Sequence, residues 1–342
     1  MKNNSFKIGN KYIGENKKVF IIAEIGINHS GDFKKCKKMI TAASKSGADA
    51  VKIQTIDVDE SYMKNTQSYK EFKNKNFSNK ELIQLKRYSS SLGVIFFSTP
   101  GDIKSLIRLA KVKVPAIKIS SGLATNLPLI GETIKKKIPT IISTGFSNIK
   151  DLEDLNNFIK KSKYKKIAIL KCTSHYPAHA NNLDLYTINF LKIFFKLPIG
   201  YSDHTMDDLA PVVAVANGAK IIEKHFTLNK FQKGADHNIS LEPKEFKIMV
   251  EKIRTTEKML GNKTFKTSAI TNKRRKMYSR YLASKKEIKK GDFFSLDNIG
   301  FFRYNKIYSG LEPKFFFRLK NKKSKINIKK NKILTKKIFR YT

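Results

Sequence analysis

Short apolar runs of strand-forming residues recur along the chain, each followed by enough residues for a helix. They are "VFIIAEIGIN" (19–28), "AVKIQT" (50–55), "GVIFFSTP" (93–100), "AIKISSG" (116–122), "PTIISTG" (139–145), "KIAILKCTS" (166–174), "LPIGYSDH" (197–204) and "AKIIEKHFT" (219–227). Between them lie amphipathic patterns such as "DFKKCKKMITAASKSG" and "NKELIQLKRYSSSLG", the second ending on a glycine suited to the left-handed position after a helix. Strands apolar on both faces and alternating with helices predict a parallel sheet covered on each side. Eight such units over about 240 residues fit a closed (β/α)8 TIM barrel better than an open doubly wound sheet. No GxGxxG follows the first strand, which also argues against a dinucleotide fold.

The flanks read differently. "FKIGNKYIG" alternates apolar and polar residues about a Gly-Asn, the pattern of a small hairpin that could cap the bottom of the barrel. The barrel domain is expected over residues 1–265. The basic, aperiodic stretch 266–279 is read as a linker. Residues 280–342, with "RYLASKKEIKKGDFFSLDNIGFFR", read as short strands and turns of a small β-rich domain that would be marginal alone.

Composition narrows the setting. The 342 residues are 40% hydrophobic, sufficient for a large core. Cys36 and Cys172 are far apart and offer neither a disulfide framework nor a CxxC pair. No signal-peptide core and no run of about 18 apolar residues occurs, so a cytoplasmic protein without membrane contact is expected. The formal charge is +41, yet the lysines are scattered and not interleaved with aromatics at regular spacing. No specific nucleic-acid partner is expected, although adhesion to polyanions at low salt is.

In a barrel, catalytic groups sit at the C-terminal ends of the strands, and each run ends in polar residues. Lys52 lies between Val51 and Ile53, and Lys118 between Ile117 and Ile119, so two-residue alternation turns both into the barrel. A lysine there needs an anion, either a protein carboxylate or a substrate. With Ser121, Ser143 and Ser202 at neighbouring strand ends, a phosphate is the favoured one. His204 and His225 end the last two strands, adjacent in a closed barrel and able to share one ion. Two imidazoles leave several positions open, which suits an octahedral divalent ion better than a closed zinc site. The triplet Glu223-Lys224-His225 thus reads as a working strand end.

These segments resemble the sialic acid synthase family: "IAEIGINHSG", "GADAVKIQT", "FFSTP", "IKISSG", "ISTG", "KCTSHYP", "GYSDHT", and "IIEKHFTL" followed by "GADHNISLEP". The tail resembles the antifreeze-like SAF domain of those enzymes. The resemblance implies a transferase (EC 2.5.1.-) that condenses phosphoenolpyruvate with an N-acetylated amino sugar. For N-acetylmannosamine and water the products are N-acetylneuraminate and phosphate; a legionaminic or other nonulosonic acid synthase is the alternative. It implies His204 and His225 as ligands of a divalent metal, Mn²⁺ foremost, with Mg²⁺ or Co²⁺ as others. Glu24 would work beside them on the sugar and the attacking water. Lys52, Thr99, Lys118, Ser121, Ser143 and Ser202 would bind phosphoenolpyruvate. Gln54, Ser174, Tyr176 and Asp236 fall on the sugar side, with Glu223 supporting the metal. Arg280 would reach a partner subunit's site in a domain-swapped homodimer.

Some positions depart from the family pattern. "GADH" at 234–237 replaces Gly-Pro-Asp-His, "RYNKIYSG" at 303–310 replaces an Arg-Pro-Gly turn, Asn331 stands at a usual turn glycine, and Ser174 stands where asparagine is frequent.

Overall fold

The computed structural model describes residues 5–234, 236–261, 265–304 and 310–342. The chain forms two compact units, residues 1–262 and 263–342. The first begins with an antiparallel hairpin, β1 (Phe6–Ile8) and β2 (Lys11–Ile13). Eight parallel strands follow: β3 (Phe20–Gly26), β4 (Ala50–Thr55), β5 (Ile95–Pro100), β6 (Ile117–Ile119), β7 (Thr140–Ser143), β8 (Ile167–Cys172), β9 (Ile199–Asp203) and β10 (Ile221–His225). Pairing of β10 with β3 closes them into a barrel. The expected (β/α)8 architecture is therefore present, with every strand inside its apolar run. Both strand faces are buried, one by the barrel interior and one by helices, which is why the runs show no polar alternation below their last residues.

The helices bury one stripe each. Helix Phe33–Lys45 buries Cys36, Met39, Ile40 and Ala43, and helix Pro243–Leu260 buries Phe246, Met249, Val250 and Ile253, both at helical spacing. Helix Asn79–Ser91 starts with a capping box between Ser78 and Glu81, and Gly93 beyond its end has φ +75°. The hairpin lies at the N-terminal end of the barrel, where Phe6, Ile8 and Ile13 join the main core. A β-carbon on Gly9 would come within 3.0 Å of Ile95 Cδ1 at the start of β5. Among the described residues no helix is long and apolar enough to cross a membrane.

Strand alternation resolves the charged triplet. The register of β9 against β10 sets Ser202 opposite Glu223 and Asp203 opposite Lys224. Ser202, Glu223, His204 and His225 face one cavity, whereas Asp203 and Lys224 pair with each other on the opposite face. Both of the latter are fully buried. The Lys224 ammonium also donates to Thr205 O, while Asp203 accepts from Tyr201 Oη at 2.9 Å and Thr205 Oγ1 at 2.8 Å. Lys224 is therefore structural, and only its two neighbours belong to the strand end that works.

In the second unit the stretch 266–279 is not a bare linker. Residues Ala269–Tyr278 form a helix capped by Ser268, which accepts from Thr271 N. Its described side chains are exposed, so no buried stripe marks it in the sequence. Strands β11 (Arg280–Ser284) and β12 (Ile299–Arg303) pair antiparallel, and a separate core forms around Leu282, Ile288, Phe294, Leu319, Ile328 and Leu334. The segments "IKKGD" from Ile288 and "IKKNK" from Ile328 pair through those two isoleucines. Gly291 and Asn331 hold matching turns at φ +98° and +60°. Asparagine tolerates this left-handed conformation better than most residues, which accounts for Asn331 in place of glycine. Most of the departing segment 303–310 lies outside the described residues.

Removing one member of a buried ion pair strands the other charge, at a cost of about 3–5 kcal/mol. Asp203→Ala is expected to lower chemical-denaturation stability by that amount, and the double change Asp203→Leu with Lys224→Met to recover most of it. A single-variant loss below about 1 kcal/mol would show the pair to be incidental.

Candidate active site

The C-terminal ends of the barrel strands surround a cavity of about 600 Å³. At its floor the Lys118 ammonium donates to Ser143 Oγ at 2.6 Å and to Ile119 O at 2.9 Å. Lys52 donates to Thr99 Oγ1 at 3.1 Å. Glu223 stands between them, 3.8 Å from each ammonium, with one oxygen accepting from Ser202 Oγ at 3.1 Å. Glu24 Oε2 lies 2.7 Å from Lys52, close enough for an ion pair although it has no aligned hydrogen bond; Oε1 accepts from Gln54 Nε2 at 3.3 Å. Of the two partners expected for such lysines, a protein carboxylate or a substrate anion, the structure shows the first. Lys52 already has a protein carboxylate, whereas Lys118 is bonded to neutral oxygens with Glu223 more distant. Glu223 sits as the counter-charge of the lysine pair, not merely beside the imidazoles.

Titration follows from this crowding. Burial pushes Glu24 up to about 7, with Lys52 opposing and the negative Glu223 adding to the rise. Burial also works against the charged form of Glu223, but Lys118, Lys52 and His225 together hold it below the usual carboxylate range. Burial lowers the Lys118 pKa. At Lys52 burial acts the same way, yet Glu223 and Glu24 outweigh it and the pKa is raised. Two carboxylates in one pocket are pushed apart, one protonating near neutrality and one staying ionised.

Above the floor the rings of His204 and His225 lie with centroids 5.3 Å apart, as expected from adjacent strands. His204 Nδ1 is 2.8 Å from Thr173 O, which can only accept; Nδ1 therefore carries a proton, and in the neutral ring Nε2 is the lone-pair donor. His225 Nδ1 is buried without a hydrogen bond, 3.7 Å from Asp236 Oδ2. Burial, the neighbouring His204 and Lys52 keep His225 neutral, its pKa well below the ordinary value. Burial works against the charged form of His204 too, but Cys172 outweighs it and the His204 pKa is raised; neutral His225 beside under-bonded carboxylates, joined by His204 once it is deprotonated, fits a divalent cation. Among the described residues no three His, Cys, Asp or Glu side chains already form a complete cluster, so other ligand positions would fall to substrate or water. Tyr176 packs its ring 4.2 Å from His204 and 6.2 Å, edge-on, from His225.

Of the residues singled out in the sequence, Glu24, Lys52, Gln54, Thr99, Lys118, Ser121, Ser143, Tyr176, Ser202, His204, Glu223, His225 and Asp236 all line this cavity. Ser174 stands at its edge, with Oγ 3.6 Å from Cys172 Sγ. Arg280 opens β11 in the second unit, its side chain exposed. The "GADH" loop is described except for Ala235, and Asp236 docks over Gly26, where a β-carbon would meet Asp236 Oδ2 at 3.2 Å. Sequence reading missed Cys172, whose Sγ is 3.7 Å from His204 Nδ1. It also missed Tyr62, Glu71 and Phe72. Cys172 is inward by the same alternation that marks Lys118, a signal available in "LKCTS"; the other three lie on a β-to-α excursion with no strand period to betray them. A cavity of about 340 Å³ in the second unit gathers lysines, a tyrosine and aliphatic side chains but no carboxylate or imidazole, so it lacks the pieces for the same chemistry.

Residues 39–265 match the model of the NeuB family. The chain is 41% identical over 324 residues to an uncharacterized protein of Methanocaldococcus jannaschii, covering 93% of this chain and 94% of that one. It is 38% identical over 306 residues to N,N'-diacetyllegionaminic acid synthase of Campylobacter jejuni, covering 83% and 90%. Among solved structures, N-acetylneuraminic acid (sialic acid) synthetase of Leptospira borgpetersenii, crystallised with citrate, superposes with a TM-score of 0.76 at 34% identity over 80% of this chain and 95% of that one. The chain belongs to the NeuB family.

A Lys118→Met change removes a charge-assisted donor from the floor. It is expected to weaken the binding of inorganic phosphate, used as the probe anion, about 10-fold or more by calorimetry. Unaltered binding would remove Lys118 from the anion site.

Proposed function

We propose that this NeuB family member is a phosphoenolpyruvate-dependent nonulosonic acid synthase, joining three carbons of phosphoenolpyruvate to the open-chain aldehyde of an N-acylated amino sugar. The observation that carries the reading is one cavity in which Lys52, Lys118, Ser143 and Ser202 form an anion floor beneath His204, His225 and Glu24. N-acetylmannosamine, giving N-acetylneuraminate, is the simplest substrate for it. A second reading, a 2,4-diacetamido sugar giving a legionaminic acid, is favoured by the named product of the Campylobacter relative and by Ser174 in place of asparagine.

Lys118 and Ser143 hold the phosphate, and Lys52 bridges it towards Glu24. The enol's electron pair forms a bond from carbon 3 to the aldehyde carbon, whose oxygen takes up a proton from bulk water. Carbon 2, left electron-poor, gains the oxygen of water; Glu24 accepts the first proton this water loses and returns it to bulk water, replacing the one the sugar oxygen took. The tetrahedral carbon 2 then collapses to a ketone as its C–O bond to phosphate breaks, the hydroxyl proton leaving with the phosphate, so substrate, phosphoenolpyruvate and water balance a 2-keto acid and phosphate. A divalent cation held by His204 and His225 would supply Lewis-acid polarisation of the aldehyde oxygen. Neutral His225 keeps its lone pair for that role at ordinary pH. Tyr176 and the docked Asp236 confine the sugar from above.

Phosphate release is expected only when both phosphoenolpyruvate and an amino sugar are present, and to vanish with chelator or with His204→Ala plus His225→Ala. Release unaffected by either treatment would refute the metal assignment. A base must be deprotonated to act, so activity should rise with pH through about 7, the value to which burial lifts Glu24. Glu24→Gln should cut kcat about 10²- to 10⁴-fold and flatten that limb; an unchanged pH profile would place the base elsewhere.

A further inference from the structure

At the end of the barrel opposite the mouth, each helix turns back into the next strand. Three successive turns there are rich in lysine: "KVKVP" (111–115), "KKKIP" (135–139) and "KKSKYKK" (160–166), and every lysine in them is exposed. They abut, since Ile117 N donates to Pro139 O at 2.8 Å and Thr140 N donates to Lys166 O at 2.9 Å. Turns around the mouth are instead acidic, as in "TIDVDE" (55–60) and "DHTMDD" (203–208). A general excess of lysine in the chain would not separate charge along the barrel axis.

The first two lysine turns border a cavity of about 350 Å³. Lys113, Lys136, Lys137, Pro115, Ile138 and Pro139 line it, and no carboxylate does. Lys113 and Lys137 have φ +57° and +56°, a left-handed conformation after a helix that favours glycine or asparagine. The negative pole of the helix does not account for a lysine there. At helix Ile103–Val112 the last carbonyls are taken by Lys86, which donates to Val112 O and, at 3.2 Å, to Lys113 O. Burial, and then the neighbouring Lys113 charge, lowers the Lys86 pKa. Glu132, the acidic residue of helix Leu127–Lys135, is held by Lys135 at 2.7 Å. Positive charge is thus crowded about this cavity with no counter-charge in its lining.

We propose that the cavity binds a nucleoside polyphosphate, with its phosphates on Lys113, Lys136 and Lys137 and its nucleoside against Pro115, Ile138 and Pro139. Linked phosphates can accept charge-assisted hydrogen bonds from all three ammonium groups at once. The proline and isoleucine surface takes the flat organic part, in a cavity of the size that small-molecule sites have. A bilayer fits less well, because no large apolar side chain of the three turns is exposed to enter it. A nucleic-acid strand would likewise find no exposed aromatic side chain in these turns on which to stack its bases. The site lies at the far end of the barrel from the imidazoles and does not depend on the synthase reading.

The test measures ATP binding to the full-length protein by calorimetry at about 0.15 M salt, where charges more than about 8 Å apart are screened. Chelator is present, so that no metal carries the nucleotide. Saturable binding is expected, tighter for ATP than for tripolyphosphate. The triple variant Lys113→Asn, Lys136→Ala, Lys137→Asn, in which asparagine keeps the left-handed turns, should weaken it at least about 10-fold. A control triple variant, Lys244→Ala, Lys247→Ala, Lys258→Ala, removes the same charge from exposed positions of helix Pro243–Leu260 and should not. Should the first variant melt early, Lys136→Ala alone carries the comparison with both turns intact. Four results would each overturn the inference: no ATP binding by the wild type, ATP held no tighter than tripolyphosphate, equal losses in the two triple variants, or capture through these lysines by phosphatidylglycerol vesicles that ATP does not displace.

Discussion

Four ionisable side chains, Glu24, Lys52, Lys118 and Glu223, share the upper end of one barrel, each buried. A single buried charge there would cost several kcal/mol, so each depends on the others being present. The compensation is uneven. Lys52 pairs closely with Glu24 and shares Glu223 at 3.8 Å with Lys118, Lys118 is otherwise bonded to Ser143 and a backbone carbonyl, and Glu24 is pushed towards its protonated form. A cluster balanced in this way leaves Lys118 donors and the under-bonded oxygens of Glu24 and Glu223 turned to the cavity. The proposed reaction, with a phosphate and a metal brought in together, would meet both.

The barrel supplies the rest by periodicity. Parallel strands in register bring residues of the same parity to one face, so Ser202, His204, Glu223 and His225 converge while Asp203 and Lys224 are sent outward as a pair. The same two strands hold chemistry on one side and the barrel wall on the other. A one-residue irregularity in β3, between Glu24 and Gly26, then turns Gly26 to φ +56°. Bare of a side chain, Gly26 leaves room for Asp236 to approach His225.

Much of this was legible in the sequence wherever a period carried it. Lysines flanked by branched apolar residues on both sides predict the inward Lys52 and Lys118, and histidines ending neighbouring strands predict the shared face. Lys224 was harder, because its outward role needs the register of β9 against β10, which no local pattern reveals. Glu71 and Tyr62 were invisible for a related reason: they sit on irregular chain whose folding depends on Asn76 and Asp102, at sequence distances of 20 and 45 residues from their partners. Helix Ala269–Tyr278, exposed all along its described side chains, left no apolar stripe to read.

On the proposed reading the floor lysines and the paired imidazoles serve one reaction centre. Anomalous diffraction at the manganese edge, from crystals of the full chain soaked with Mn²⁺ and phosphoenolpyruvate, addresses this directly. One metal peak is expected within bonding distance of His204 and His225, with the phosphate on Lys118 and Ser143. A metal bound away from both imidazoles, or phosphoenolpyruvate bound outside the barrel mouth, would contradict the account.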